Sequence, residues 1–202
     1  MSLYESTGGA DWKSNAGWTT GTACSAGDPD GANWHGVLCK NYSVVGLAFP
    51  DNGLRGTLPS ARASLSALRP LSTTRNQGLS GTLSPAIGSM SALSDVSLPG
   101  THVSGTLPES FAALSGLRAV RAEQSRISGT LPKALFARMD RLSRFQVDRS
   151  FLSGTLPTEL PALLKQFQPD RTPLSGALPP PLAALPPPAQ WPLRPPARAG
   201  PL

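Results

Sequence analysis

Residues 90–108 read MSALSDVSLPGTHVSGTLP. Apolar side chains fall at Met90, Leu93, Val96, Leu98, Val103 and Leu107, around a turn at Thr101 and a glycine at Gly105. The alternation of Val96 and Leu98 marks a short strand with two side chains on one face. The closing Gly-Thr-Leu-Pro then recurs. It stands at Gly56–Pro59, Gly105–Pro108, Gly129–Pro132 and Gly154–Pro157, with the variants Gly81-Thr82-Leu83-Ser84 and Gly176-Ala177-Leu178-Pro179. The steps between successive glycines are 25, 24, 24, 25 and 22 residues. A period of this size marks a solenoid, in which each unit buries its apolar face only against its neighbours.

The other units follow the same template. An apolar residue lies two places before each glycine: Leu54, Leu79, Val103, Ile127, Leu152 and Leu174. Inward-facing pairs precede it at Leu47/Phe49, Val96/Leu98, Val120/Ala122, Phe145/Val147 and Phe167/Pro169. The second unit has one extra residue in its turn, Asn76-Gln77-Gly78-Leu79, which moves its pair to Leu71/Thr73. The expected strand starts are therefore Leu47, Leu71, Val96, Val120, Phe145 and Phe167. Successive strands would stack in parallel, about 4.8 Å apart. Buried turn backbone needs hydrogen-bond partners. Asn52 and Asn76 can supply them to a neighbouring coil, and Thr101, Ser125, Ser150 and Thr172 replace them later with hydroxyls.

The repeat closely resembles the plant-type class of leucine-rich repeats. The Ser-Gly-Thr-Leu-Pro form, led by Thr101-His102-Val103-Ser104, is most similar to surface antigens of kinetoplastid parasites and to the extracellular repeats of receptor-like proteins. The resemblance covers roughly residues 1–178. It implies an α/β leucine-rich repeat solenoid, with a parallel β-sheet on the concave face and short or 3-10 helices on the convex side. Residues 1–43 read as an N-terminal cap, 44–178 as the repeats and 179–202 as a proline-rich tail. Trp12, Trp18 and Trp34 are expected to cover the open end of the core. The tail favours extended polyproline II and acts as a spacer or stalk.

The cap also carries Trp34, Gly36, Val37 and Cys39, matching the Trp-x-Gly-Val-x-Cys of plant-type caps. The resemblance implies a disulfide between Cys24 and Cys39, the chain's two cysteines. Such a bridge is worth about 3 kcal/mol in the chain-entropy model. Two free thiols in a cytosolic protein form the competing reading. Asn41-Tyr42-Ser43 is an N-glycosylation sequon at the cap's edge. No signal peptide is visible. In related caps a stretch like Leu3–Gly9 follows a helix inside the domain, so the true N-terminus is expected to lie upstream. No apolar run is long enough to span a membrane. The expected location is the cell surface or the extracellular space, with membrane attachment only through segments outside this chain.

Formal net charge is +6. No nucleic-acid motif accompanies it, so nucleic acid is not an expected partner and the charge reads as a solvated surface. His35 and His102 are the two histidines, and neither belongs to a nucleophile elbow, a phosphate loop or a metal motif. The expectation is a protein that is not an enzyme and needs no cofactor or metal. It would bind a protein or glycan through the concave face. A structural coat or adhesion component, or a fragment of a receptor-like kinase ectodomain, is the alternative. By register, Ala48, Ser72, Ser97, Arg121, Gln146 and Gln168 point outward. The polar positions concentrate in the C-terminal half, and Arg121, Glu123, Gln146, Asp148, Arg149 and Asp170 are the candidate ligand contacts. Pairing of the acidic and arginine columns across neighbouring coils is the alternative for these same residues, worth little at a surface.

Overall fold

The computed structural model describes residues 3–28, 30–60, 65–132, 134–157 and 159–175. The proline-rich tail lies outside the described residues, as does the last Gly-Ala-Leu-Pro.

The main sheet has seven strands. A hairpin of β1 (Val37–Lys40) and β2 (Ser43–Ala48) opens it. Parallel strands follow in the order β4 (Pro70–Ser72), β6 (Asp95–Ser97), β8 (Ala119–Arg121), β10 (Arg144–Gln146) and β12 (Gln166–Gln168). The register aligns Leu47, Leu71, Val96, Val120, Phe145 and Phe167 in one row. These are the six strand starts expected from the repeat, the one-residue insertion included. Behind this sheet, β3 (Gly56–Thr57), β5 (Leu79–Ser80), β7 (Ser104–Gly105), β9 (Arg126–Thr130), β11 (Phe151–Thr155) and β13 (Leu174–Ser175) form a second set of short parallel ladders. The 3-10 helices Pro85–Ser89 and Glu109–Ala113 carry two of the coils across the convex side.

A single continuous core runs through the coils. Phe49, Leu54, Leu68, Leu79, Leu93, Phe111, Leu114, Leu117, Leu135, Leu142 and Leu152 are fully buried. Each comes from an apolar position of the template, which explains why one pattern closes every coil around the same axis. Phe145 stacks on Phe167, and Phe136 meets both edge-on. At the N-terminal end, Tyr4, Trp12, Trp18 and Trp34 pack ring to ring and cover Phe49. The three indole N–H groups donate to the carbonyls of Thr7, His35 and Thr20. Cys24 and Cys39 form a disulfide, with Cα atoms 5.8 Å apart, that ties the loop of the cap to β1.

The corner after each main-sheet strand has one construction. Asp51, Arg75, Gly100, Gln124, Arg149 and Arg171 all have positive φ, between 49° and 66°. The residue after each points inward. Asn76 does most with that position: its Oδ1 accepts from the amides of Asn52 and Leu54, and its Nδ2 donates to the carbonyls of Phe49 and Thr73. Asn52 reaches the cap in the same way, through both backbone groups of Ser14. The hydroxyl replacements behave differently. Thr101 donates within its own coil, to Leu98, and Ser150 Oγ is buried without a hydrogen-bond partner. A hydroxyl sits on a shorter stem than an amide and has a single donor.

Candidate functional site

The concave face presents three columns of side chains, each fixed by the backbone ladder. The first runs Ala48, Ser72, Ser97, Arg121, Gln146 and Gln168. The second runs Thr74, Pro99, Glu123, Asp148 and Asp170, whose carbonyls accept from the amides of the preceding coil's corners. The third consists of the left-handed corners themselves, including Arg75, Gln124, Arg149 and Arg171. All six candidate contacts lie on these columns. Arg121 and Gln146 are neighbours in the first, Glu123, Asp148 and Asp170 are neighbours in the second, and Arg149 stands in the third.

Composition divides this face. In the first coils a chain of hydroxyls links Ser72, Thr74 and Ser97, each 3.3 Å from the next. Sequence reading treats these coils as plain. The signal was present as hydroxyl residues at matching registers, but whether they bond depends on the rotamers. In the last coils Gln146 donates its side-chain amide to Gln168.

Among the described residues the charged columns form no ion pair with one another; the one ion pair within 4.0 Å joins Lys13 to Asp51, far from this cluster. Glu123 is half-buried, and its Oε2 has no hydrogen-bond partner. Burial pushes its carboxyl above the ordinary range. Its own backbone amide opposes the shift, Asp148 adds repulsion and Arg121 offsets part of it. Asp148 is shifted the same way, first by burial, with its own backbone amide and Arg149 opposing and Asp170 adding repulsion. The site thus holds two carboxyls raised by burial, one oxygen of which, Glu123 Oε2, has no hydrogen-bond partner. Such groups gain most from a ligand that brings its own donors.

His35 and His102 are both exposed and lie on different coils. No group of three or more His, Cys, Asp or Glu is placed to hold a metal among the described residues. No helix of the described residues is long and apolar enough to cross a membrane. Asn41 is exposed at the tip of the β1–β2 hairpin, where Asn41 and Tyr42 both have positive φ.

No family model matches the chain. Over 81 residues, 37% of its length, it is 32% identical to a probable leucine-rich repeat receptor-like protein kinase of Arabidopsis thaliana; it spans 9% of that protein. Its fold is similar to the ectodomain of the receptor kinase SOBIR1 from Arabidopsis thaliana. The TM-score is 0.58 and the identity 26%, over 67% of this chain and 74% of that one. It is also similar to the Arabidopsis receptor kinase HAESA, solved with the peptide hormone IDA and the co-receptor SERK1. There the TM-score is 0.63 and the identity 26%, over 70% of this chain and 24% of that one.

Proposed function

The chain is a plant-type leucine-rich repeat protein, and on that premise we propose that it is a non-catalytic binding module of the extracellular space whose concave face takes a protein ligand. The observation that carries this reading is the half-buried Glu123, whose Oε2 has no hydrogen-bond partner, set beside Asp148 in the second column and two residues after Arg121. A structural coat would have no use for a charged group left short of hydrogen bonds at the centre of its concave face. Leaving such a group unpaired costs stability, which a ligand's donor recovers on binding.

The chemistry predicts the ligand's character. The acidic column favours a segment bearing lysine, arginine or a free amine, and the flanking arginines favour a carboxylate beside it. HAESA, to which the fold is similar, is solved with a peptide hormone and a co-receptor, which supports a protein ligand here. The Cys24–Cys39 disulfide supports an oxidising compartment. Asn41, exposed at a hairpin tip and followed by Tyr42-Ser43, is the proposed N-glycan acceptor.

The test is a displayed peptide library panned against the intact protein, with enriched binders remeasured on Arg121→Glu/Arg149→Glu. Loss of capture is the expected result. Binders that hold equally well to the reversed variant place the site elsewhere.

A further inference from the structure

The edge where the chain enters the main sheet carries a second feature, separate from the concave columns. Its backbone ladder runs in unbroken register: Arg69 donates its amide to Val45, Ser94 to Arg69, Arg118 to Ser94, Ser143 to Arg118 and Lys165 to Ser143. Cations therefore occupy alternate coils of one column, at Arg69, Arg118 and Lys165. With coils about 4.8 Å apart, they repeat at roughly 10 Å. Arg144 also donates its amide to Arg118 and adds a fourth cation beside this column. All four side chains are exposed.

The serines between them are occupied. Ser94 donates to Asp95, 2.7 Å away, and Ser143 donates to the carbonyl of Arg118 at 3.1 Å. At its N-terminal end the column borders a shallow groove lined by Lys40, Asn41, Ser43, Val45, Ala67, Arg69 and Ala92. Two of these, Ala67 and Ala92, each stand two residues before a member of the column. The same position holds Gly116 in the next coil and Arg141 in the one after. This position thus carries a small residue in three successive coils, and then a further cation joins. Three acids lie at this edge: Asp95, held by Ser94, Asp30, whose carboxylate accepts from the Asn41 amide at 3.1 Å, and Asp140 beside Arg141; none forms an ion pair with these cations.

We propose that this strand-entry edge binds a linear sulfated polysaccharide lying along the solenoid axis. The partner must be anionic, because five exposed cations and Lys40 face one edge with three acids among them. It must be linear, because the cations follow one column rather than spreading over a disc, as a membrane surface would require. A glycan is favoured over nucleic acid because the disulfide-bonded cap belongs to an oxidising compartment. Binding of this kind is driven by the release of counterions from the polymer, so its affinity falls steeply with salt. It leaves the concave face free for the ligand proposed above.

The experiment uses the full chain and heparin as probe, with affinity measured by calorimetry from low to physiological salt. Three proteins are compared: the wild type, Arg69→Ser/Arg118→Ser/Lys165→Ser, and the control Arg55→Ser/Arg75→Ser/Arg126→Ser, which loses three exposed cations from other faces. Circular dichroism confirms that both variants keep the fold. For the edge variant the slope of log affinity against log salt is expected to fall by roughly 2, in proportion to the contacts removed. The control should retain most of the wild-type slope. Equal losses in both variants mean attraction to net charge alone and overturn the proposal. So does wild-type binding to phosphatidylserine vesicles or to a DNA duplex that is tighter than to heparin. Desulfated heparin should bind at least tenfold more weakly; binding as tight as to heparin also overturns it.

Discussion

The methyl group of Thr82 rests against Gly105, one coil further along. A β-carbon built on Gly105 would stand 2.8 Å from Thr82 Cγ2, closer than such atoms approach. The same contact recurs between Thr57 and Gly81, Thr106 and Gly129, and Thr130 and Gly154. The Gly-Thr pair of the repeat is therefore one interaction spread over two units: the threonine of one coil needs the glycine of the next.

Gly105→Ala should destabilise the protein for two separable reasons. The backbone at Gly105 has φ of 76°, which costs a residue with a β-carbon about 1–2 kcal/mol. The clash with Thr82 adds to it. Urea denaturation of Gly105→Ala, Thr82→Ser and the double variant separates the two. Thr82→Ser removes the methyl, so the double variant should be more stable than the sum of the single losses. Strict additivity would show that the two residues do not communicate.

Asn76 and Thr73 should respond in opposite directions, although both are buried in the same corner. Asn76→Ala strands the amides of Asn52 and Leu54 and the carbonyls of Phe49 and Thr73, at a cost of about 3 kcal/mol or more. Thr73 Oγ1 is buried without a partner, so Thr73→Val should raise stability by about 1 kcal/mol. Thermal melts of the two variants check both signs.

The concave carboxylates set a pH dependence. Glu123 and Asp148 hold their protons to higher pH when folded than when unfolded. The folded state then binds more protons through this window, and stability falls as pH rises from the ordinary carboxylate range through the raised folded values. Above that window the penalty is constant. Glu123→Gln should therefore be more stable than the wild type at neutral pH, with the difference shrinking as pH drops below the window. Denaturation midpoints measured from acid to neutral pH report it. A gap that widens on acidification would reverse the sign.

Reduction of Cys24–Cys39 should cost about 3 kcal/mol, the loop spanning 15 residues. The loss should appear first in the cap, because the bond anchors its loop to β1. Tryptophan fluorescence reads chiefly the cap, since three of the chain's four tryptophans, Trp12, Trp18 and Trp34, lie there. A transition in reducing buffer that moves cap fluorescence ahead of far-ultraviolet dichroism is the expected result.

The strand register was fully legible in the sequence, because inward side chains alternate and the solenoid repeats the rule six times. Even the extra residue at Asn76-Gln77-Gly78 left its mark as a shift in the apolar pair. The candidate columns followed from that register. The electrostatic state of the columns did not. Whether Glu123 pairs with an arginine depends on rotamers and burial, and Arg121 and Glu123 look like natural partners on paper. The corner conformation was equally hidden. Arg75, Gln124 and Arg149 adopt positive φ without being glycine, because the ladder on either side dictates it. Likewise the Asn-to-hydroxyl exchange reads as conservative, yet Asn76 ties two coils together and Thr101 ties only its own.

The antiparallel β1 gives the sheet a polarity. The hairpin breaks the parallel order at β1, whereas from β2 onward each strand pairs with the next in parallel. Coils inserted or deleted between the hairpin and β12 would leave both ends unchanged and alter only their separation. Distance along the axis thus becomes a digital quantity, counted in steps of about 4.8 Å. A lineage that varies its repeat number would move its charged columns away from the cap like marks on a ruler, without redesigning either.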